Sequence, residues 1–227
     1  MTREQKTPSH LLRAYFSLMK KIITIVDYGS GNLLSVEKSF IKVADLANID
    51  AEIKISNDPK KLKLSTHLVL PGQGAFKTCM DGILQIPGMQ DELYEFAKIK
   101  QKPFFGICVG MQLLANNSYE NGNHQGLGWI RGTIKKLPST NIKMPHMGWN
   151  NIKLTNKNSP FKPEENDYYF VHSYYFDCVD RRDVVAETNY GINFPSIVNK
   201  ENVYGCQFHP EKSSLQGLKI IRGFINL

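Results

Sequence analysis

A cysteine set between two glycines at the end of an apolar run, Gly106-Ile107-Cys108-Val109-Gly110-Met111-Gln112, limits what this chain can fold into. Residues 103–107 read as a short buried strand, and the residues after Cys108 as the start of a helix. The backbone must reverse sharply between them, and small residues on each side of the cysteine let it do so without clashes. Such a junction exposes its central side chain at the carboxyl end of a strand. The helix N-terminus beneath it favours thiolate over thiol. Taken alone, the pattern fits a reactive nucleophile and equally a buried structural cysteine.

Around this junction the hydrophobic pattern alternates between strand and helix. Residues 22–27 have the β-branched density of a buried first strand. After the turn Tyr28-Gly29-Ser30-Gly31, the residues Leu33, Val36, Phe40 and Val43 recur at helical spacing. A strand at about 52–56 follows, then a short helix near Pro59, then strand 67–70 ending in Pro71-Gly72-Gln73-Gly74. Helices are expected at 76–83 and 89–100. The second half is richer in strands, at 130–136, 151–154, 168–172, 184–188, 196–199 and 203–209, with a closing helix at 213–225. The pattern predicts an α/β fold: a central, mostly parallel sheet flanked by helices, with an additional antiparallel strand region. Ligands of such sheets bind beyond the carboxyl ends of the strands, where both glycine-rich turns fall.

Composition narrows the function classes. The chain has 227 residues, 41% hydrophobic and 22% charged, enough to build a core and unlike a disordered segment. Its apolar runs are far too short for a bilayer-spanning helix, so no membrane association is expected. The cysteines at 79, 108, 178 and 206 form no CxxC pair, which fits neither a zinc knuckle nor a disulfide framework. A cytoplasmic protein without metal or other cofactor is expected. The net charge is +7, of which residues 1–18 supply +2. The remaining basic residues are scattered rather than interleaved with stacking aromatics, so no nucleic-acid partner is expected.

Two further motifs bear on chemistry. In His209-Pro210-Glu211, on an extended segment, histidine and carboxylate project to the same side. The imidazole can then take a thiol proton while the carboxylate orients the ring; a surface turn explains the tripeptide equally well. In Pro71-Gly72-Gln73-Gly74 the glycines let backbone N–H groups approach developing negative charge, as an oxyanion hole requires. An ordinary glycine turn is the alternative. His10, His67 and His124 have no acidic or cysteine partner at useful spacing, and Cys79, Cys178 and Cys206 read as packed small side chains.

Together, Gly106-x-Cys108-x-Gly110-x-Gln112 and the His209-Pro210-Glu211 motif about 100 positions later resemble the class I, or triad, glutamine amidotransferases. The segments Asp27-Tyr28-Gly29-Ser30-Gly31-Asn32-Leu33, Pro145-His146-Met147-Gly148-Trp149-Asn150 and Tyr169-Phe170-Val171-His172-Ser173-Tyr174 resemble one branch of that family. This branch comprises the glutaminase subunits of imidazole glycerol phosphate synthases, of histidine biosynthesis.

The resemblance implies Cys108 as nucleophile, His209 as general base and acid, and Glu211 as its orienter. It implies oxyanion donors among the backbone N–H groups of Val109 and of Gly72, Gln73 and Gly74, with Gln73 departing from the PGVG of many relatives. Gln112, Glu120 and the backbone of His172, Ser173 and Tyr174 would hold substrate glutamine. Trp149, Tyr169 and Lys212 would approach a partner. That partner would be a separate cyclase subunit, a (β/α)8 barrel, because the chain has no room for a second catalytic domain; a heterodimer is expected. L-glutamine would be hydrolysed through a Cys108 thioester, its ammonia feeding synthesis of imidazole glycerol phosphate and aminoimidazole carboxamide ribonucleotide. Two alternatives stay open: a glutaminase subunit of pyridoxal phosphate or anthranilate type, and a non-catalytic regulatory subunit of the same fold. The resemblance covers 19–227, read as the amidotransferase domain. Residues 1–18 read as an extension, with Met19 an alternative translation start and a mitochondrial transit peptide the competing reading.

Overall fold

The β-branched run Lys21–Val26 (β1) lies inside a sheet, with Ala51–Ser56 (β2) on one side and His67–Gly72 (β3) on the other, both parallel to it. The computed structural model describes residues 20–138, 142–156, 159–160 and 163–227, so the extension at 1–18 lies outside the described residues. Leu33–Leu46 (α1) connects β1 to β2, its N-terminus capped by the Asn32 side chain, which accepts from the Ser35 N–H at 3.3 Å. Pro59–Leu62 (α2) leads into β3. Phe76–Gln85 (α3) and Met89–Tyr94 (α4) lead to Phe104–Cys108 (β4) and Val109–Gln112 (α5).

The second half contributes Asn117–Ser118 (β5), His124–Gln125 (β6), Gly132–Lys136 (β7), His146–Asn151 (β8), Lys153–Leu154 (β9) and Asp167–His172 (β10). Tyr174–Cys178 (β11), Val184–Tyr190 (β12), Ile192–Lys200 (β13), Val203–Cys206 (β14) and Ser214–Ile225 (α6) complete it. The main sheet has the order β2-β1-β3-β4-β14-β13-β12-β9. Its first five strands are parallel, and β13, β12 and β9 continue it antiparallel. A β10–β8 ribbon and a β11-β7-β5-β6 sheet form the additional strand region.

The helical spacing read in the sequence is the buried face of α1: Val36, Phe40, Val43 and Ala44. Phe40 meets Phe224 of α6 edge-on at 6.3 Å, and Phe224 also packs against Phe105 of β4 at 5.1 Å, so α1 and α6 cover one face of the sheet together. Phe104, one residue along β4, points the other way and meets Trp129 at 4.9 Å. Each fully buried aromatic of this kind contributes roughly 2–3 kcal/mol. Together they make β4 a rigid mount for Cys108.

The structure corrects several boundaries. The helix expected at 89–100 is α4 followed by a π-helical turn, Glu95–Ile99. The strand expected at 203–209 ends at Cys206: Gln207 N–H still donates to Ser196 O on β13, but His209 N–H then turns to Tyr169 O on β10, both at 2.9 Å. The expected strand 151–154 is reduced to β9, and the preceding motif residues form β8. Segment 174–178, unassigned in the sequence reading, is β11.

Candidate active site

Cys108 closes β4 with φ +54°, a left-handed conformation held in place by close packing on both sides. A Cβ on Gly106 would lie 2.5 Å from the Gly110 carbonyl oxygen, and one on Gly110 only 1.8 Å from that of Leu70. Both glycines are therefore needed for α5 to fold back over β3 and β4. The thiol consequently lies beside Gly72, its register partner on β3, and lines a cavity of about 290 Å³.

His209 reaches the same cavity from the segment after β14. The extended geometry expected for His209-Pro210-Glu211 is not what brings the two side chains together. Pro210–Lys212 is a 3₁₀ turn, started by a proline whose fixed φ suits a first turn, and it curls Glu211 back onto the imidazole. Nδ1 of His209 sits 2.7 Å from Glu211 Oε1, and the ring also hydrogen-bonds the Cys108 sulfur. Burial pulls the His209 pKa down, but negative charge on Cys108 and the Glu211 carboxylate outweigh it and raise the pKa to about 10. At neutral pH the site therefore favours the imidazolium form of His209.

The segment after β3 forms the cavity wall opposite His209. Gln73 and Gly74 line it together with Val109. In this arrangement the Gln73 N–H donates to Ser30 Oγ (3.3 Å), and the Ser30 hydroxyl donates to Gln73 O (2.6 Å). The Tyr28 hydroxyl donates to Pro71 O. The Gln73 peptide is thus held by the turn after β1. Glu120 lines the cavity and its Oε2 accepts from Phe76 N–H at 2.6 Å, anchoring the N-terminus of α3.

Val171, His172, Ser173 and Tyr174 supply the next wall, with Pro145 beside them. The Tyr174 carbonyl accepts from both His172 Nδ1 (2.8 Å) and Gln112 Nε2 (2.9 Å). A carbonyl only accepts, so His172 carries its proton on Nδ1, and its Nε2 accepts from His146 Nδ1 at 2.9 Å. His146 Nε2 in turn accepts from Asn150 Nδ2 at 3.1 Å. Burial keeps both rings neutral, lowering His172 to about 3 and His146 to about 4. His172 is therefore part of a fixed neutral chain. Gln112 donates further to Gln207 Oε1 (3.0 Å), and Gln207 Nε2 lies 3.7 Å from the Cys108 sulfur. The sequence reading singled out neither Ser30, His146 nor Gln207 individually. Ser30 and His146 lie inside quoted motifs, whereas Gln207 carries no local signal.

Of the expected site residues, Cys108, His209, Gln73, Gly74, Val109, Gln112, Glu120, His172, Ser173 and Tyr174 line this cavity, whereas Glu211 reaches it only through His209 and Gly72 lies in register beside Cys108 without lining it. Residues 24–227 match the family glutamine amidotransferase class-I. The chain belongs to the class I glutamine amidotransferases. Among amidotransferase relatives, the imidazole glycerol phosphate synthase subunit HisH of Pelagibacter ubique is 45% identical over 210 residues, 90% of this chain and 99% of that protein. The HisH subunit of Brucella suis biovar 1 is 41% identical, over 89% and 97%. A solved glutamine amidotransferase structure shares the fold with a TM-score of 0.67 at 17% identity, over 88% of this chain and 96% of that one.

The three residues expected near a partner lie outside the amidotransferase cavity lining. Trp149 on β8 is 53% exposed and pairs in register with Tyr169 on β10, their ring centroids 6.1 Å apart. Met147, two residues along β8, is also exposed, as is Lys212 on the turn after His209. Cys79, Cys178 and Cys206 are buried free thiols. His67 is buried, His124 lies on β6, and His10 falls outside the described residues. Among the described residues no helix is long and apolar enough to cross a membrane.

Proposed function

We propose that the chain is the glutaminase subunit of an imidazole glycerol phosphate synthase. It releases ammonia from L-glutamine for a separate cyclase subunit, in histidine biosynthesis. The observation that carries this reading is the Cys108 thiol at the mouth of β4, sharing one cavity with His209, whose imidazole is held from behind by Glu211.

In this reading the Cys108 thiolate attacks the side-chain carboxamide carbon of glutamine. The oxyanion forms beside Val109 N–H, at the α5 N-terminus, and the backbone of Gly72, Gln73 and Gly74. The imidazolium of His209 protonates the departing nitrogen, so ammonia leaves and a γ-glutamyl thioester remains. Neutral His209 then takes a proton from water as it attacks the thioester, returning glutamate and the thiolate. Glu211 holds the ring through Nδ1 and stabilises its charged form. Gln112, Glu120 and the 172–174 backbone position the substrate.

The exposed face carrying Trp149, with Tyr169 and Lys212 beside it, is the docking surface we assign to the cyclase barrel in a heterodimer. An aromatic anchor next to a cation suits an interface hot spot. We place the amidotransferase domain at 19–227, with 1–18 an extension to it, and the protein in the cytosol, where free thiols persist.

The test is Cys108→Ala in the complex with the cyclase, assayed with each nitrogen source. Glutamine-dependent synthesis should fall by roughly 10⁴-fold or more, as when a nucleophile is removed. Synthesis from ammonium salts should persist. Loss of both activities with the complex still assembled would place Cys108 in the synthase step and refute the division of labour.

A further inference from the structure

The orientation of two buried side-chain amides is fixed by the Tyr174 carbonyl. That oxygen accepts from His172 Nδ1 and from Gln112 Nε2, so the NH2 group of Gln112 must face it. The same NH2 group supplies the bond to Gln207 Oε1 at 3.0 Å. The Gln207 oxygen therefore faces Gln112, and its NH2 group faces the Cys108 sulfur at 3.7 Å. Flipping either amide would set donors against donors or oxygen against the carbonyl. Gln207 is 0% exposed and Gln112 3%, so water does not loosen the arrangement.

We infer that Gln207 is a further catalytic residue, whose side-chain N–H donates to the Cys108 sulfur and favours its thiolate, with Gln112 the positioning residue that aims it. This rests on Cys108 being the nucleophile. The sulfur has two sets of neighbours with opposite preferences. A neutral thiol can donate to the Val171 carbonyl, 4.0 Å away, which offers nothing to a thiolate. Gln207 and protonated His209 both donate, and a donor is worth more against a charged acceptor than a neutral one. Gln207 approaches independently of the His209–Glu211 pair, so its donor faces the sulfur before attack and again when water expels the thiolate from the thioester. At both stages the sulfur carries the charge that the donor favours.

A purely structural amide is the competing explanation, and it makes different predictions. The probe is iodoacetamide, with alkylation of Cys108 followed against pH by mass spectrometry on the full chain. The buried Cys79, Cys178 and Cys206 serve as internal references. Gln207→Met keeps the approximate volume and removes the donor, and Gln207→Glu replaces it with an acceptor. For folded Gln207→Met the alkylation midpoint should rise by about one pH unit, roughly a tenfold loss of thiolate below it. Gln207→Glu should raise it further. In the complex, kcat for glutamine should fall with KM little changed, while ammonium-dependent synthesis is retained. An unchanged midpoint in folded Gln207→Met overturns the inference.

Should both variants fail to fold, the wild-type chain still decides. The Gln207 side-chain amide resonance, assigned by its contacts to Gln112 and Cys108, should move across the Cys108 titration. A static resonance overturns the proposal. Failure of the nucleophile reading is distinguishable, because then Cys108→Ala retains glutamine-dependent synthesis whatever Gln207 does.

Discussion

Gly110→Ala adds one methyl group where α5 crosses the end of β3. On the present backbone that Cβ would meet the Leu70 carbonyl oxygen at 1.8 Å and its carbon at 2.9 Å, whereas Cβ contacts under 3.0 Å essentially never occur. Both atoms belong to the backbone of a strand hydrogen-bonded between β1 and β4, so no flexible side chain can yield. Moving the contact from 1.8 to 3.0 Å displaces α5 by about 1.2 Å. Cys108 lies two residues upstream, and its sulfur and the Val109 N–H move with the helix. A misplacement of about 1 Å at reacting groups costs on the order of 10²-fold in rate. Overpacking costs about 1–3 kcal/mol, which a domain of ordinary stability survives. The variant should therefore fold and assemble with the cyclase, lose about 100-fold in glutamine-dependent synthesis, and keep ammonium-dependent synthesis. Gly88→Ala is the control: φ is +77° but nothing lies within 4 Å of the added Cβ, so some stability is lost and turnover is unaffected. Wild-type glutamine turnover by Gly110→Ala would refute the argument that this packing sets the sulfur's position.

Three other outcomes follow from the same geometry. Ser30→Ala removes both hydroxyl bonds to Gln73, each worth about 1 kcal/mol, and frees the Gln73 N–H to meet the oxyanion, so the isolated chain should hydrolyse glutamine roughly tenfold faster. Unchanged basal turnover would mean that Ser30 does not restrain the peptide. His67 is buried and its pKa is lowered to about 3, first by burial and then by Lys21, so the unfolded chain takes up its proton first as pH falls. Its contribution is complete above about pH 6.5 and is lost as pH falls from there towards 3. Between pH 7 and 5, urea titration should show the wild type losing about 2 kcal/mol more than His67→Leu; parallel profiles would contradict the assignment. Trp149→Ala should weaken cyclase binding by about 2 kcal/mol or more while changing the chain's own stability by about 0.5 kcal/mol or less, as calorimetry and denaturation can separate.

The parts of this fold that were legible in the sequence depend on local periodicity and on glycine. The β-branched run of β1, the stripe Val36-Phe40-Val43 and the glycine-flanked Cys108 each announce a backbone conformation within a few residues. Errors arise where a tertiary partner overrides the local pattern. Residues 203–209 look like one strand because the apolar run is continuous, yet the sheet loses them at Cys206 when His209 N–H turns to Tyr169 O on β10. That turn decides the chemistry. Within a continued strand, His209 and Glu211 would lie side by side; the 3₁₀ turn instead points the carboxylate at Nδ1.

The same reasoning explains why the polar framework behind the thiol could not be read in advance. Ser30 and Gln73 are 43 positions apart, His146 and His172 are 26, and Gln112 and Gln207 are 95. Each pair is joined by side-chain or peptide hydrogen bonds that have no periodicity and no composition signal. Their geometry nonetheless follows from elements that were legible. Gln112 ends the turn of helix that the glycine elbow starts, and Gln207 is the first residue after β14, the strand beside β4. Once β4 and β14 pair in parallel, both amides are delivered to the buried side of the thiol. There an unpaired amide would cost about 1–3 kcal/mol, so the two must satisfy each other. The one acceptor among their partners that cannot reverse, the Tyr174 carbonyl, then leaves the Gln207 donor facing sulfur.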